Sequence, residues 1–368
     1  MKIDAGRRGW RIDLTLIVLP LALSLFGLLM ISSATRGGVR GIGSEYFVTR
    51  QAIWIAAAFV AFIIVSLFDA RKLRNYAAVI YVVNLVLLGA VLLFGDVRLG
   101  AQRWLSIGQL SIQPSEYAKL FMALFFAAYF ANRRHAPEPK DIALSALYLA
   151  PPVLLVFAQP DLGTSVVLCV IWFATLVAAG ARARDLFVVI ALAVLLGVGA
   201  YQFGILHDYQ VKRLMVFLDP ESVPDVGYNL KQAKIAIGSG GLLGKGLYAG
   251  TQTSLRFIPE RHSDFIFSVI GEELGFVGAI GLFVAYLLLV LRVLFIAYTL
   301  RDRFMKYFAY AYASMFVFHV LTNVGMNLGI MPITGIPLPF VSSGGTFLFT
   351  NVLCLGVLES AWRYRFRG

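Results

Sequence analysis

Residues 258–275, IPERHSDFIFSVIGEELG, decide how this chain is organised, because a charged loop there runs into an apolar segment without a spacer. The charged residues of the loop are Glu260, Arg261, His262 and Asp264. Asp264 falls at or just above the level where a membrane span would begin, and a carboxylate is costly to desolvate there. Two interpretations follow: Asp264 caps the helix that starts beside it, or it performs acid–base chemistry at a membrane surface.

The composition predicts a membrane protein. The chain has 368 residues, 59% of them hydrophobic and 14% charged, whereas a soluble domain carries about 25% charged residues. Apolar runs of about 20 residues, long enough to cross a bilayer, recur along the whole length. We therefore expect an all-α polytopic protein that forms a single integral membrane domain over residues 1–368.

Ten transmembrane helices are predicted. They cover about residues 12–33, 48–68, 76–94, 115–131, 141–158, 162–180, 185–204, 264–298, 306–330 and 344–361. Lysines and arginines concentrate at both termini and in alternate short loops, which predicts that both termini are cytoplasmic. This loop pattern explains the net charge of +12 and excludes nucleic acid as a partner. One long extracytoplasmic loop, about residues 205–263, then joins helices seven and eight.

That long loop contains an amphipathic stretch, Leu230–Ile237, followed by a predicted glycine-rich turn, GSGGLLGKG, at Gly238–Gly246. The turn fits neither the P-loop nor the dinucleotide-binding pattern. Two interpretations remain: flexible backbone near the lipid surface, or a nest of N–H groups that faces a lipid-borne phosphate.

Charged residues also lie inside the predicted spans. Glu116 and Lys119 are spaced i,i+3, so they share one face of the fourth span. They form either a structural ion pair or a site at which Lys119 meets an anionic ligand or the acid of the outer loop. Glu272 and Glu273 lie two turns into the eighth span, so at least one should face protein or a cavity.

Polar residues continue in the ninth span. His319, Asn323 and Asn327 form a stripe at i, i+4 and i+8, best explained by interhelical hydrogen bonding, with an ion path as the alternative. The segment 331–345, MPITGIPLPFVSSGG, contains three prolines and cannot be a continuous helix. Such backbone is tolerated at membrane depth only inside protein or beside a cavity, so we expect it to wall a pocket on the outer side.

Several long strings resemble the SEDS family (shape, elongation, division and sporulation). They are GAQRWLSIGQLSIQPSEYAKL (100–120), QPDLGTS (159–165), GYNLKQAKIAIGSGGLLGKG (227–246), GTQTSLRFIPERHSDFIFSVIGEELGF (250–276) and MPITGIPLPFVSSGGTF (331–347). The last two strings are most similar to the rod-shape branch of the family. The match runs from the third span to the end of the chain.

The resemblance implies a peptidoglycan glycosyltransferase of the bacterial cytoplasmic membrane that serves cell elongation and rod shape. Such a protein joins lipid II units into β-1,4 glycan strands on the outer face and releases undecaprenyl diphosphate. Its implied partners are lipid II, the growing glycan strand, membrane lipid, a class B penicillin-binding protein (the transpeptidase) and other membrane proteins of the elongation complex. The family's essential acid falls on Asp264, and its charged pair falls on Glu116 and Lys119.

The predicted mechanism makes Asp264 the general base on the acceptor hydroxyl. Arg213, Lys245 or Arg261 would stabilise the departing diphosphate. No closed cluster of metal ligands is present, so a divalent cation (Mg²⁺ or Mn²⁺) is expected only as one shared with substrate, and a metal-free reaction is the alternative. The residues predicted to bind substrate are Arg103, Trp104, Asp161, Arg213, Gln232, Ser239, Lys245, Gln252, Glu260, Arg261, His262 and Ser343.

Two rival functions remain open from the sequence. A lipid II flippase would use the Glu116–Lys119 pair and the stripe from His319 as a translocation path. A non-catalytic scaffold for a penicillin-binding protein would depend on its outer surface and not on charges in a pocket.

Overall fold

The computed structural model describes residues 12–36, 38–39, 41–98, 101–107, 110–206, 208–219, 223–254, 257–258 and 260–365. Most of the terminal charges that predict the orientation lie outside the described residues. The helices are α1 (Leu14–Ala34), α2 (Ser44–Leu67), α3 (Ala77–Phe94), α4 (Pro114–Ala131), α5 (Pro139–Ala158), α6 (Leu162–Ala178), α7 (Ala183–Gln202), α8 (Asp208–Leu218), α9 (Pro224–Gly240), α10 (Thr251–Ser254), α11 (Ile266–Thr299), α12 (Arg303–Leu328) and α13 (Gly345–Tyr364). A 3₁₀ helix (Ala70–Tyr76) leads into α3.

Within the described ranges, seven helices are long and apolar enough to cross a membrane. They are α1, α2, α3 with its 3₁₀ lead, α5, α7, α11 and α13. The other three predicted spans are α4, α6 and α12, which contact one another in the middle of the bundle. The helices α4 and α12 are largely buried, and a helix surrounded by protein needs no lipid-facing surface and tolerates polar side chains. The helix α6 is apolar but only 17 residues long. The helical membrane bundle is therefore confirmed, whereas the count of ten spans stays a prediction.

A small antiparallel sheet between α3 and α4 was not predicted. Its strands are β1 (Asp96–Arg98), β2 (Ala101–Ile107) and β3 (Leu110–Ile112), in the order β1-β2-β3. Each pair of consecutive strands is separated by two residues, one of which is glycine, and such links are a common hairpin signal. The all-α prediction missed this sheet, whose strand β2 carries Arg103 and Trp104.

The connection between α7 and α11, residues 203–265, contains the helices α8, α9 and α10. The predicted amphipathic stretch Leu230–Ile237 lies within α9, which packs against α11 and α12. Apolar residues of this connection form a small second core with α12 and the segment after it: Val216, Leu230, Ala233, Ala236, Ile258, Phe265, Met326 and Ile333. Because α9 continues through Gly240, the prediction of a turn from Gly238 is wrong for its first three residues.

The helix α11 is broken at Gly275, where φ is 64° and ψ is −161°. In a continuous helix, the N–H groups of residues 276 and 277 would donate to the carbonyls of Glu272 and Glu273. The turn 241–246 supplies the missing partners, both acceptors for these N–H groups and donors for these carbonyls. The replacement bonds are Phe276 N to Gly241 O (2.9 Å), Val277 N to Leu242 O (3.1 Å), Lys245 N to Glu272 O (3.0 Å) and Gly246 N to Glu273 O (2.9 Å). The turn is therefore docked backbone and not loose, and the N–H groups of Lys245 and Gly246 bind carbonyls of α11 and not a phosphate.

The side chains of Glu272 and Glu273 are buried, which confirms that they face protein. One Glu272 carboxylate oxygen accepts hydrogen bonds from the Lys245 ammonium (2.8 Å), the Thr251 hydroxyl (3.1 Å) and the Gln252 N–H (2.9 Å). This carboxylate consequently fixes both the docked turn and the start of α10, from which the chain continues to Asp264.

Candidate active site

Asp264 lies in the turn before α11 and does not cap that helix. Phe265 occupies the N-cap position, and no side chain there accepts a capping hydrogen bond. The capping interpretation of Asp264 is therefore wrong. Its side chain is half-buried and faces other parts of the protein.

The main chain of Asp264 is held by α12. The side-chain amides of Asn323 and Asn327 both donate to the Asp264 carbonyl oxygen, at 2.9 and 3.1 Å. The Asn323 amide also donates to the Ile336 carbonyl at 2.8 Å. Ile336 belongs to the proline-rich segment 331–345, so one amide joins the acid's loop to that segment.

The two preceding carbonyls of the loop are also hydrogen-bonded to the proline-rich segment. The Ser343 N–H donates to the His262 carbonyl at 2.9 Å, and the Ser342 hydroxyl donates to the Ser263 carbonyl at 2.6 Å. Three consecutive carbonyls, 262 to 264, are thus hydrogen-bonded to the segment 323–343. This arrangement supports the prediction that the segment 331–345 walls a pocket.

Arg213 of α8 faces Asp264 across Gly335. A Cβ atom built on Gly335 would lie 3.3 Å from a guanidinium nitrogen of Arg213 and 3.4 Å from a carboxylate oxygen of Asp264. Gly335 also has a φ of 73°, in the left-handed region that favours glycine. A side chain at residue 335 would therefore enter the space between the cation and the acid.

The surroundings raise the pKa of Asp264 from its usual 3.8 to about 6. Removal from water is the largest cause, and the charge of Glu260 acts in the same direction. The positive charges of Arg213 and Arg103, and a hydrogen bond from Ser263, lower the pKa. A carboxylate with a pKa near 6 is ionised at neutral pH and is a stronger base than a solvated aspartate.

A cavity of about 100 Å³ adjoins this acid–arginine gap and is lined by Arg103, Tyr209, Gln210, Arg213 and Thr334, among others. Arg103 donates to the Gln159 carbonyl at 3.0 Å and to the Pro160 carbonyl. The Arg213 guanidinium lies 5.6 Å from the ring centre of Tyr209. Two arginines from different elements, β2 and α8, therefore line one small cavity whose other walls are largely apolar.

The other two predicted phosphate-binding cations are occupied by protein groups. Arg261 is 2% exposed and donates to the carbonyl of Ala34 (2.5 Å), the last residue of α1, and to that of Gly38 (3.4 Å) in the α1–α2 loop. Lys245 pairs with Glu272 as described above. Arg213 is therefore the member of the predicted set that the fold places beside Asp264.

The charged pair of α4 is deep in the bundle. The Lys119 ammonium lies 2.8 Å from a Glu116 carboxylate oxygen, with side chains 3% and 7% exposed. The same ammonium lies 3.5 Å from His319 Nε2 on α12. The structure thus shows the ion pair and joins it to the polar stripe of α12.

The remaining predicted binding residues are dispersed around the site. Asp161 is buried and caps α6 by accepting from the Thr164 N–H at 3.2 Å. The Ser263 hydroxyl donates to Glu260 at 3.3 Å, and the His262 ring packs on Phe47 at 4.9 Å. Trp104 follows Arg103 on β2, Gln232 and Ser239 lie on α9, and Gln252 lies on α10.

Sequence reasoning missed four residues that shape the site: Tyr209, Gly335, Ser342 and Gln210. Asn323 and Asn327 were assigned to interhelical bonding, yet they also bind a loop. The polar stripe on α12 is visible in the sequence. The sequence does not indicate which backbone carbonyls its side chains bond. Over the ranges that the structure describes, no group of three or more His, Cys, Asp or Glu side chains could hold a metal ion.

Fold and site together define a multi-pass helical membrane protein that sets a high-pKa carboxylate beside two arginines at one end of its bundle. The family model described as cell cycle protein, which covers FtsW, RodA and SpoVE, matches residues 13–366. The chain belongs to the FtsW/RodA/SpoVE family.

Relatives and solved structures match nearly the whole chain. Peptidoglycan glycosyltransferase MrdB of Escherichia coli K12 is 38% identical over 96% of this chain and 94% of the relative. Peptidoglycan glycosyltransferase RodA of Treponema pallidum is 32% identical over 95% and 96%. A chain of a peptidoglycan synthase complex, described as coordinating polymerization and crosslinking, superposes with a TM-score of 0.84 at 31% identity over 98% of this chain and 100% of that one. Thermus thermophilus RodA gives a TM-score of 0.72 at 29% identity over 97% and 98%.

Proposed function

We propose that this chain is a peptidoglycan glycosyltransferase that polymerises lipid II with Asp264 as its general base. The placement of the Asp264 carboxylate opposite Arg213, beside a cavity lined by a second arginine, carries the proposal. The activity is the one named for relatives that are 32–38% identical over nearly the full chain. Lipid II has an anionic diphosphate and a long apolar chain. The arginines at this end of the bundle suit the diphosphate, and the apolar membrane bundle suits the chain.

Asp264 takes the proton from the 4-hydroxyl of the acceptor N-acetylglucosamine. That oxygen attacks the anomeric carbon of the donor N-acetylmuramic acid, and the bond to undecaprenyl diphosphate breaks. One displacement inverts an α-linked diphosphate into a β-1,4 linkage. Diphosphate is a good leaving group, so the reaction needs no second carboxyl group as an acid.

Arg213 and Arg103 stabilise the negative charge on the departing diphosphate. Both line the same cavity, and Arg213 faces Asp264 across Gly335. Arg213 suits this role because a planar guanidinium can bind phosphate oxygens through two parallel hydrogen bonds. Arg103 contributes mainly its charge, because its Nε and Nη2 already donate to the Gln159 and Pro160 carbonyls. Arg261 and Lys245 instead hold the loop and the turn that surround the site.

A divalent cation, Mg²⁺ or Mn²⁺, would be shared with the substrate. Among the described residues, no group of three or more His, Cys, Asp or Glu side chains could hold it. The diphosphate oxygens, which are the hard ligands that such cations prefer, would therefore supply the coordination. The cation would add to the positive charge that the two arginines already provide.

The reaction takes place outside the cytoplasm. The chain crosses the bacterial cytoplasmic membrane ten times as a single membrane domain over residues 1–368, with α4, α6 and α12 as its inner crossings and both termini in the cytoplasm. The connection 203–265 then forms the active-site face. The distribution of loop lysines and arginines supports this orientation.

A class B penicillin-binding protein is the proposed partner. The structural neighbour from a complex that coordinates polymerization and crosslinking supports a pairing of the two activities. Such a transpeptidase would crosslink the strand that this chain elongates. Other membrane proteins of the elongation complex would join the two.

Polymerisation of fluorescent lipid II by the purified chain, with a candidate transpeptidase present, tests the proposal. The Asp264→Asn variant should form no polymer while it still binds lipid II. Glu359→Gln is the matched control. Glu359 is also buried, but it lies near the end of α13 and accepts a hydrogen bond from the Asp13 N–H at 3.2 Å. Polymer formation by Asp264→Asn would show that Asp264 is not the general base. Translocation of lipid II without polymerisation by the unaltered chain would identify a flippase.

A further inference from the structure

We propose that Asn323 is a positioning residue for this reaction: its amide holds the Asp264 loop and the proline-rich segment at a fixed separation, and so sets the gap between base and diphosphate. The inference rests on the proposed function. Asn323 touches no substrate and acts through Asp264.

The geometry of the amide is unusual for a residue of a membrane helix. Its two N–H groups serve two different loops, since Nδ2 lies 2.9 Å from the Asp264 carbonyl and 2.8 Å from the Ile336 carbonyl. Asn323 is fully buried, so water does not compete for these bonds. Interhelical hydrogen bonding explains neither contact, because both acceptors lie outside the helices.

The two acceptors flank the reactive gap. Asp264 carries the base, and Ile336 directly follows Gly335, which separates Asp264 from Arg213. Only a glycine-sized space is available there, so a small shift of either loop would change the distance between the base and the arginine. A misplacement of about 1 Å is enough to cost on the order of 100-fold in rate.

Asn327 supports the same loop in a weaker way. It donates to the Asp264 carbonyl at 3.1 Å and to the Asn323 carbonyl at 2.8 Å, and neither acceptor belongs to the proline-rich segment. The contacts therefore predict an order of effects in which the loss of Asn323 is more damaging than the loss of Asn327.

The test compares Asn323→Ala, Asn327→Ala and Asn351→Ala in the lipid II polymerisation assay. Asn351 is the matched control, a buried asparagine whose amide donates within its own helix to the Phe347 carbonyl at 2.9 Å. We expect kcat to fall about 10- to 100-fold in Asn323→Ala, less in Asn327→Ala and little in Asn351→Ala, with KM for lipid II nearly unchanged. Asn323→Ser, which keeps one donor, should recover part of the rate and serves as the test if Asn323→Ala does not fold.

An infrared titration of the protonated Asp264 carboxyl band gives a readout that is independent of activity. The charges that face this carboxyl come from Arg213 on α8, Arg103 on β2 and Glu260 on its own loop. Release of the loop would admit water, so the transition should move from about pH 6 towards 3.8 in Asn323→Ala, and it should not move in Asn351→Ala.

The outcomes separate the two claims. Equal kcat and equal titration in Asn323→Ala and Asn351→Ala, corrected for the folded fraction, would refute the positioning role. Polymerisation by Asp264→Asn would refute the proposed function, while the titration would still report whether Asn323 holds the loop.

Discussion

At the scale of single residues, the desolvated carboxylate of Asp264 makes the reaction pH-dependent. A base acts only when it is deprotonated, and the pKa of Asp264 is raised to about 6. We therefore expect kcat/KM to rise with pH through about 6 and then to level off, with a fall of about tenfold per pH unit on the acid side. Initial polymerisation rates would measure this profile across pH 4.5–8.5, a range of about four units that includes this pKa. An acid limb that lies below pH 5 would contradict the prediction.

The neighbouring charges predict opposite shifts of that profile. Arg213 lowers the pKa of Asp264 and Glu260 raises it. Arg213→Gln should therefore move the acid limb to higher pH, and Glu260→Gln should move it to lower pH. Arg213→Gln should also lower the plateau because it removes a diphosphate contact. Shifts in the same direction would show that the two charges do not act on this carboxylate.

Sequence patterns predicted the acid and left its neighbours undecided. Asp264 was singled out because it lies between a charged loop and an apolar helix, and this placement is visible in the string itself. Arg213, Lys245 and Arg261 were equivalent candidates, since each is a cation in the same connection. Only tertiary contacts distinguish them: Arg261 binds carbonyls at the end of α1 and in the loop that follows it, and Lys245 binds Glu272.

At the scale of elements, the break in α11 depends on Gly275. Its dihedral angles belong to a region that is essentially restricted to glycine, where another residue costs about 1–3 kcal/mol, and a Cβ there would lie 2.3 Å from the Gly244 nitrogen. Gly275→Ala should favour a continuous helix and expel the turn 241–246. We expect faster hydrogen exchange over 241–254 and a lower melting temperature.

Gly281→Ala is the control for this prediction. Gly281 lies in the same helix, and a Cβ there meets nothing within 4 Å. Replacing an unstrained helical glycine by alanine is neutral or stabilises by up to about 1 kcal/mol. Equal exchange over 241–254 in the two variants would show that the docked turn does not depend on the break.

The elements differ in how well the sequence predicted them. Long apolar runs gave the helices of the bundle, since their hydropathy is a local property. The turn 241–246 was misjudged because glycines indicate backbone freedom, whereas its N–H groups bind Glu272 and Glu273. The sheet β1-β2-β3 was missed because its strands are short and lie between strongly apolar helices.

At the scale of the whole molecule, polarity increases towards the centre of the bundle. The inner helices α4 and α12 carry Lys119, Glu116 and His319 in mutual contact, and the outer helices present apolar surface. In lipid there is little hydrophobic force between helices, so buried polar contacts contribute to their association. The central ion pair therefore joins the inner helices while the site is built at their ends.

The last prediction concerns the energetics of that pair. Removing one partner leaves an uncompensated buried charge, which costs about 3–5 kcal/mol, whereas replacing both by groups of similar size is often neutral. Glu116→Gln and Lys119→Met should each lower the melting temperature in detergent, and the double variant should recover most of the loss. A double variant no more stable than either single variant would contradict a structural pair and would point to charges that act on a ligand, as a translocation path requires.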